Sequence, residues 1–126
     1  MVTTLEEGEW VLVSAVQRHQ ANPDTFKIPS EARRSNLQRG EAAKLLFDIE
    51  TRGNGTVIDR GVDKMWVIVI AIQDDRYRGI LDSDPGKAVG LNLSKGDLIN
   101  FDPSHICDIA QPPRDFLEAV HCEYFS

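Results

Sequence analysis

Only two cysteines, Cys107 and Cys122, stand in 126 residues. They allow one disulfide, which a chain long enough to bury roughly two-thirds of its unfolded surface does not need. Reduced thiols in a cytoplasmic protein are the expected state. Long apolar runs are also missing. The longest, residues 65–72, is less than half of the roughly 18 residues that span a bilayer. Met1-Val2-Thr3-Thr4-Leu5-Glu6-Glu7 has neither the basic nor the apolar region of a signal peptide, so no membrane contact is expected. Basic charge is not in excess either. Fourteen Lys and Arg against 20 Asp and Glu give a formal net charge of −6, which repels phosphate backbones unless a local patch compensates. The nearest thing to a patch, Arg33-Arg34 with Arg39, is diluted by Glu31 and Glu41 and reads as a solvated helix face. No nucleic-acid partner is expected.

The usual signatures of catalysis and of metal or phosphate binding are missing too. There is no G-x-S-x-G elbow, and Gly53-Asn54-Gly55 lacks the Lys-Ser/Thr of a phosphate loop. His105 and Cys107 would share one face of a strand, and His121-Cys122 follows near the C-terminus. The paired C-x₂-C spacing of a zinc site is absent, and adjacent ligands such as His121 and Cys122 would have to diverge. Asp82-Ser83-Asp84-Pro85-Gly86 has Lys87 where a calcium loop needs glycine. The carboxylate pairs Asp74 with Asp75, Asp82 with Asp84 and Asp97 with Asp102 all fall at turns, where solvation is the simplest account. The expectation is a non-enzyme with no metal and no cofactor.

What is present is strand grammar. Residues 65–72 are apolar throughout and rich in β-branched side chains, so they read as a central strand buried on both faces. Asp74-Asp75 marks the next turn, and residues 77–82 form the partner strand, with Gly79 as a bulge or bend. Ser83-Asp84-Pro85-Gly86 is turn chemistry. Residues 98–101 and 105–109 are two more strands. Upstream, residues 43–50 form a strand, and Asn54-Gly55 supplies the two positive φ values of a hairpin turn before Val57-Ile58. Leu37-x-Arg39-Gly40-Glu41 echoes Leu93-x-Lys95-Gly96-Asp97, which reads as one kind of turn used twice.

Helical signals cluster outside these strands. Thr4-Leu5-Glu6-Glu7 fits a capping box, and Leu5, Leu12 and Val16 fit one helical face that Asn22-Pro23 would stop. Trp10-Val11-Leu12-Val13 favours strand instead, so residues 5–19 are open between a helix, the preferred reading, and a strand. Ser30 caps a short turn carrying Glu31. Arg114 to Val120 reads as a helix after Pro113, with Phe116, Leu117 and Val120 facing inward. The whole is an α+β domain: a small, strongly bent antiparallel β-sheet or barrel with N-terminal and C-terminal flanking helices. One domain covers residues 1–126, divided into a helical segment (1–25), a β-rich core (26–110) and a short terminal helix and tail (111–126).

Lys64-Met65-Trp66-Val67-x-Val69, Tyr77-x-Gly79-x-Leu81-x-x-x-Pro85, Leu93-x-x-Gly96-Asp97-x-Ile99-x-Phe101 and His105-Ile106-x-Asp108 together resemble the YegJ-like domain family of bacterial proteins. The resemblance runs over about residues 26–109, with Phe26-x-Ile28-Pro29 and Lys44-Leu45-Leu46-Phe47 upstream. It implies a bacterial source and a small β-rich fold. That family has no assigned function, so no catalytic residue is carried over. Trp66, Gly79, Pro85, Gly96 and Phe101 then read as scaffold, and function is expected at turns on a rigid sheet.

Small size and acidic charge favour a protein-interaction module, in its concrete form an immunity-type protein that neutralises a toxin. Its contact residues would be Asn54, Asp74, Asp75, Arg76, Asp82 and Asp84, where acidic turns steer a partner. Trp10 is a further interface candidate, and Trp66 reads as core. The alternative is a small-ligand-binding or regulatory β-domain with a pocket lined by Trp66, Tyr77 or Phe101.

Overall fold

Apolar alternation gathers the strands into a single sheet. The computed structural model describes residues 10–53, 56–83 and 93–125, and of residues 51–53 and 56–60 the backbone alone. In chain order come β1 (Trp10–Val13), α1 (Ala15–Ala21), α2 (Glu31–Arg34), β2 (Ala42–Gly53), β3 (Thr56–Gln73), β4 (Arg76–Leu81) and β5 (Leu98–Phe101). A 3-10 turn (Pro103–His105), β6 (Ile106–Ala110), α3 (Arg114–Val120) and α4 (Cys122–Phe125) complete the chain. The strands form a 6-stranded sheet in the order β1-β2-β3-β4-β5, with β6 beside β2. All pairings are antiparallel. The sheet curls into a half-barrel accompanied by four helices among the described residues. No helix among them is long and apolar enough to cross a membrane.

Strand alternation divides the sheet into two faces. Ala43, Leu45, Phe47 and Ile49 of β2, Met65, Val67 and Val69 of β3, Tyr77 and Leu81 of β4, and Ile99 and Phe101 of β5 share the main core. The curl folds this face onto itself, with Leu37 and Leu93 in the same cluster. The opposite face is covered in two places. Ala42, Ile68 and Ile80 lie under Leu117 and Phe125 of α3 and α4. Leu46 and Cys107 lie under Ala15 of α1. Residues 65–70 are thus apolar on both faces because both are covered.

The sequence echo corresponds to one structural device used twice. Gly40 and Gly96 both take positive φ, 98° and 96°, a conformation that suits glycine. In each turn the acid's amide donates to the carbonyl three residues earlier, Glu41 to Gln38 and Asp97 to Ser94, both at 3.0 Å. Each glycine amide then donates to a strand carbonyl, Gly40 to Val69 and Gly96 to Leu81, both at 2.8 Å. The amides of Val69 and Leu81 donate back to Glu41 and Asp97, both at 2.9 Å. The acid side chains complete the pattern: Glu41 accepts from the Gln38 amide at 2.7 Å and Asp97 from the Ser94 amide at 2.8 Å.

Several expectations change. Residues 10–13 are strand, not helix, because they pair with Leu46 to Ile49. There Trp10 stacks on Phe47 with ring centroids 5.4 Å apart, so it serves the core and is not a free anchor. The helix begins only after Ser14, whose hydroxyl accepts from the Gln17 amide, and stops at Asn22 as expected. The proposed Thr4 cap lies outside the described residues. The return strand expected from Val57-Ile58 and the strand read at residues 65–72 are one continuous strand, β3. The strand irregularity lies not at Gly79 but opposite it, between Val69 and Ala71. Val120 is 45% exposed rather than inward, because the α3 contact with the sheet runs through Leu117. His105 belongs to the 3-10 turn before β6 and does not share a strand face with Cys107.

The arginine cluster is a solvated face only in part, since Arg33 and Arg39 are exposed and Arg34 is not. Arg34 is buried and donates to the carbonyls of Pro29 and Pro103, at 2.9 and 3.0 Å. Arg33 pairs with Glu41, and Arg39 stacks over Phe125.

A Cβ at Gly79 would sit 2.1 Å from Val67 Cγ1 and 2.9 Å from the Ile68 carbonyl oxygen, while nothing lies within 4 Å of one at Gly61. Gly79→Ala is therefore expected to destabilise by about 3 kcal/mol in urea unfolding. Gly61→Ala should stay within about 1 kcal/mol of the parent. Equal effects at the two positions would contradict this packing.

Candidate functional site

Among the described residues, the face opposite the main core carries an open hollow at each end of β4. The first grows out of the β3–β4 turn. Gln73 pairs with Arg76, leaving Asp74 and Asp75 as a two-residue tip. Asp74 takes a φ of 56°, a left-handed conformation that aspartate tolerates better than most residues. Asp74, Asp75 and Arg76 are all exposed. The bulge at Ile70 shifts the alternation of β3, so Ala71 pairs with Arg78, and Arg78 with Asn100. Ala71, Gln73, Arg76, Arg78 and Asn100 therefore share one face. They line a hollow of about 370 Å³, together with Tyr77 and Phe101. Arg78 Nε donates to Asn100 Oδ1 at 3.1 Å.

Next to this hollow, Asp102 caps the 3-10 turn, accepting from the amide and hydroxyl of Ser104, while the Asp102 amide donates to His105 Nδ1. Burial pushes the Asp102 carboxyl up, but the Ser104 hydrogen bonds and the nearby His105 and Arg76 charges outweigh it and hold it below its ordinary value. Burial and Arg76 together push His105 down despite Asp102, favouring the neutral imidazole.

The second hollow, about 390 Å³, lies between the sheet and the segment entering α3. Trp66, Ile68 and Phe116 supply an apolar wall, with Pro112 and Pro113 opposite. Trp66 is thus outside the main core but packs, partly buried, against the second one: its place in β3 points it to the helix face, where Lys44 Nζ lies 4.9 Å from its ring. Asp82 lies at the hollow's edge and accepts from His121 Nε2 at 2.8 Å. The His121 side chain is only 5% exposed, against 21% for Asp82, and its ring meets Phe116 edge-on. This pair ties the α3–α4 junction to the end of β4.

The expected contact residues therefore separate. Asp74, Asp75 and Arg76 form one exposed group, whereas Asp82 is engaged with His121. Asn54 and Asp84 lie outside the described residues. Cys107 is buried under α1, and desolvation pushes its thiol up, away from the reactive thiolate. Cys122 is exposed on α4. Reading the sequence as turns missed Arg78 and Asn100, and weighed His121 only as a zinc ligand beside Cys122. The Arg76-x-Arg78 alternation signals two like charges on one strand face, but Asn100 joins them only through register. Nothing in the sequence marks His121 as buried.

His121→Ala removes a buried ring and leaves the Asp82 carboxylate without its donor. A loss of about 2–3 kcal/mol in chemical unfolding is expected, and a loss under about 0.5 kcal/mol would show that the pair holds nothing. Glu41 supplies a pH test. Burial raises its carboxyl, but the Arg33 hydrogen bond, the Gln38 amide and the Arg33 charge bring the balance below the ordinary value. The unfolded chain then binds the extra proton as pH falls. Stabilisation is complete above the ordinary value of 4.5 and lost as pH falls through the folded-state value. Glu41→Gln should flatten the acid limb of the unfolding midpoint, and parallel limbs for parent and variant would contradict this. Comparison with family models, with curated proteins and with solved structures found no match for this chain.

Proposed function

We propose that the chain is a non-enzymatic protein-interaction module that meets its partner through the β3–β4 turn. The observation that carries this reading is the grouping of Asp74, Asp75 and Arg76, all exposed, at the tip of a hairpin whose base is locked into the core. Charges on a short, rigid turn lose little entropy on binding and set orientation as well as encounter rate. The overall charge of −6 favours a partner with a basic surface. The concrete form is an immunity-type antagonist of a bacterial toxin, acting in the cytoplasm. Kinship with the YegJ-like domains belongs to the same proposal. It is supported by the structural work that Gly79, Gly96 and Phe101 perform here.

A second reading, a small-ligand-binding β-domain, is favoured by the hollow beside Trp66 and Phe116. Tyr77 and Phe101 fill the main core, so a ligand would sit on the helix face and not inside the curl.

The interaction reading is tested by co-purification with the product of a neighbouring gene, followed by titration calorimetry. Asp74→Lys with Asp75→Lys should weaken a basic partner at least about tenfold without lowering the unfolding midpoint. An unchanged affinity would remove the turn from the interface, and failure to bind or protect against any adjacent toxin would remove the antagonist reading.

A further inference from the structure

We propose that the hollow over Ala71 binds a small molecule through a compact oxyanion, a phosphate or a carboxylate. This goes beyond partner binding at the turn and names a ligand chemistry for an adjoining surface that shares Arg76 with it.

The bulge at Ile70 builds the site. It places a small residue, Ala71, opposite Arg78 and turns Gln73 toward the same face. A concave floor results where an uninterrupted strand would have sent those side chains to the other side. Arg76 and Arg78 stand about 7 Å apart along β4 on one face, and Arg78 lies directly across from Asn100. No acidic side chain among the described residues lines the hollow.

The donors are available. The Arg76 side chain makes no hydrogen bond among the described residues, though its charge acts on Asp102 and His105, and the Arg78 side chain uses only Nε, on Asn100 Oδ1. That bond orients the Asn100 carboxamide, leaving its NH₂ to donate, and leaves the terminal guanidinium nitrogens of Arg78 for a ligand. The nearby Asp102 carboxylate offsets part of the arginine charge, since its own ionisation is favoured by Arg76, but its Oδ1 is engaged by Ser104 and it makes no ion pair with Arg76 among the described residues. Two guanidinium groups side by side repel each other, and a bound oxyanion relieves that repulsion while accepting forked hydrogen bonds from both. A half-open volume of about 370 Å³ accommodates a small molecule.

The test is an NMR titration of the full chain with inorganic phosphate and, separately, with succinate, each against sodium chloride at matched ionic strength. Saturable shifts are expected at the Arg78 Nε–H and the Asn100 side-chain amide, with a dissociation constant on the order of 1 mM or tighter. Arg78→Gln and Arg76→Gln should each weaken binding about tenfold. Arg18→Gln, which alters an arginine placed over Phe26, should leave it unchanged. Because the Arg76 side chain is exposed and makes no hydrogen bond among the described residues, Arg76→Gln keeps the test meaningful if Arg78→Gln disturbs the sheet. Saturation by phosphate alone assigns a phosphate ligand, and saturation by succinate alone assigns a carboxylate. No saturable shift with either probe, or equal affinity in Arg76→Gln and the parent, overturns the proposal. Arg78 is not part of the turn. Loss of phosphate or succinate binding in Arg78→Gln with partner affinity intact therefore separates this site from the interaction reading.

Discussion

Strand β3 is held from both sides, and its fixed register governs the rest of the molecule. Its first part pairs with β2 and its last part with β4, and the two ladders overlap only around Val67 and Ile68. The twin glycine turns act beside that overlap. Gly40 and Glu41 clamp Val69, and Gly96 and Asp97 clamp Leu81, which pairs with Val67. Each clamp exchanges two backbone hydrogen bonds with a strand residue and is braced by its own carboxylate. A one-residue slip would send Val67 and Val69 out of the core and bring Trp66 and Ile68 in.

With the register fixed, the two faces divide their roles. One is consumed by the core and by the curl. The other is partly covered by α1, α3 and α4, and what remains uncovered is where the charged turn and both hollows lie. The bulge at Ile70 connects packing to chemistry. It lies just beyond the clamped Val69, where the strand leaves the core, and there it moves Ala71 and Gln73 onto the face that carries Arg76, Arg78 and Asn100. The His121–Asp82 pair fixes the opposite end of β4.

The sheet was readable in the sequence wherever side chains alternate or run apolar on a strand buried twice. That covers residues 43–50, 65–72 and 77–82. The repeated Gly-acid turn was readable because a positive φ leaves few alternatives to glycine. Residues 10–13 were open between helix and strand, because their β-branched side chains compete with a helical spacing of Leu5, Leu12 and Val16. The contact with β2, a long-range pairing, decided it. Gly79 was recognised as special, but the reason, that Val67 leaves no room there for even a methyl group, belongs to packing. The charged turn was legible as local chemistry. Its neighbours Arg78 and Asn100, and the burial of His121, were not, since each depends on residues far away in the chain.

Native-state hydrogen exchange at Val69 and Leu81 tests the central claim most directly, that two glycine turns lock β3 and β4 beneath a free charged tip. Their amides are predicted to be among the slowest in the protein, exchanging only through global unfolding, while those of Asp74 and Asp75 exchange through local opening. Fast local exchange at Val69 or Leu81 would contradict the account.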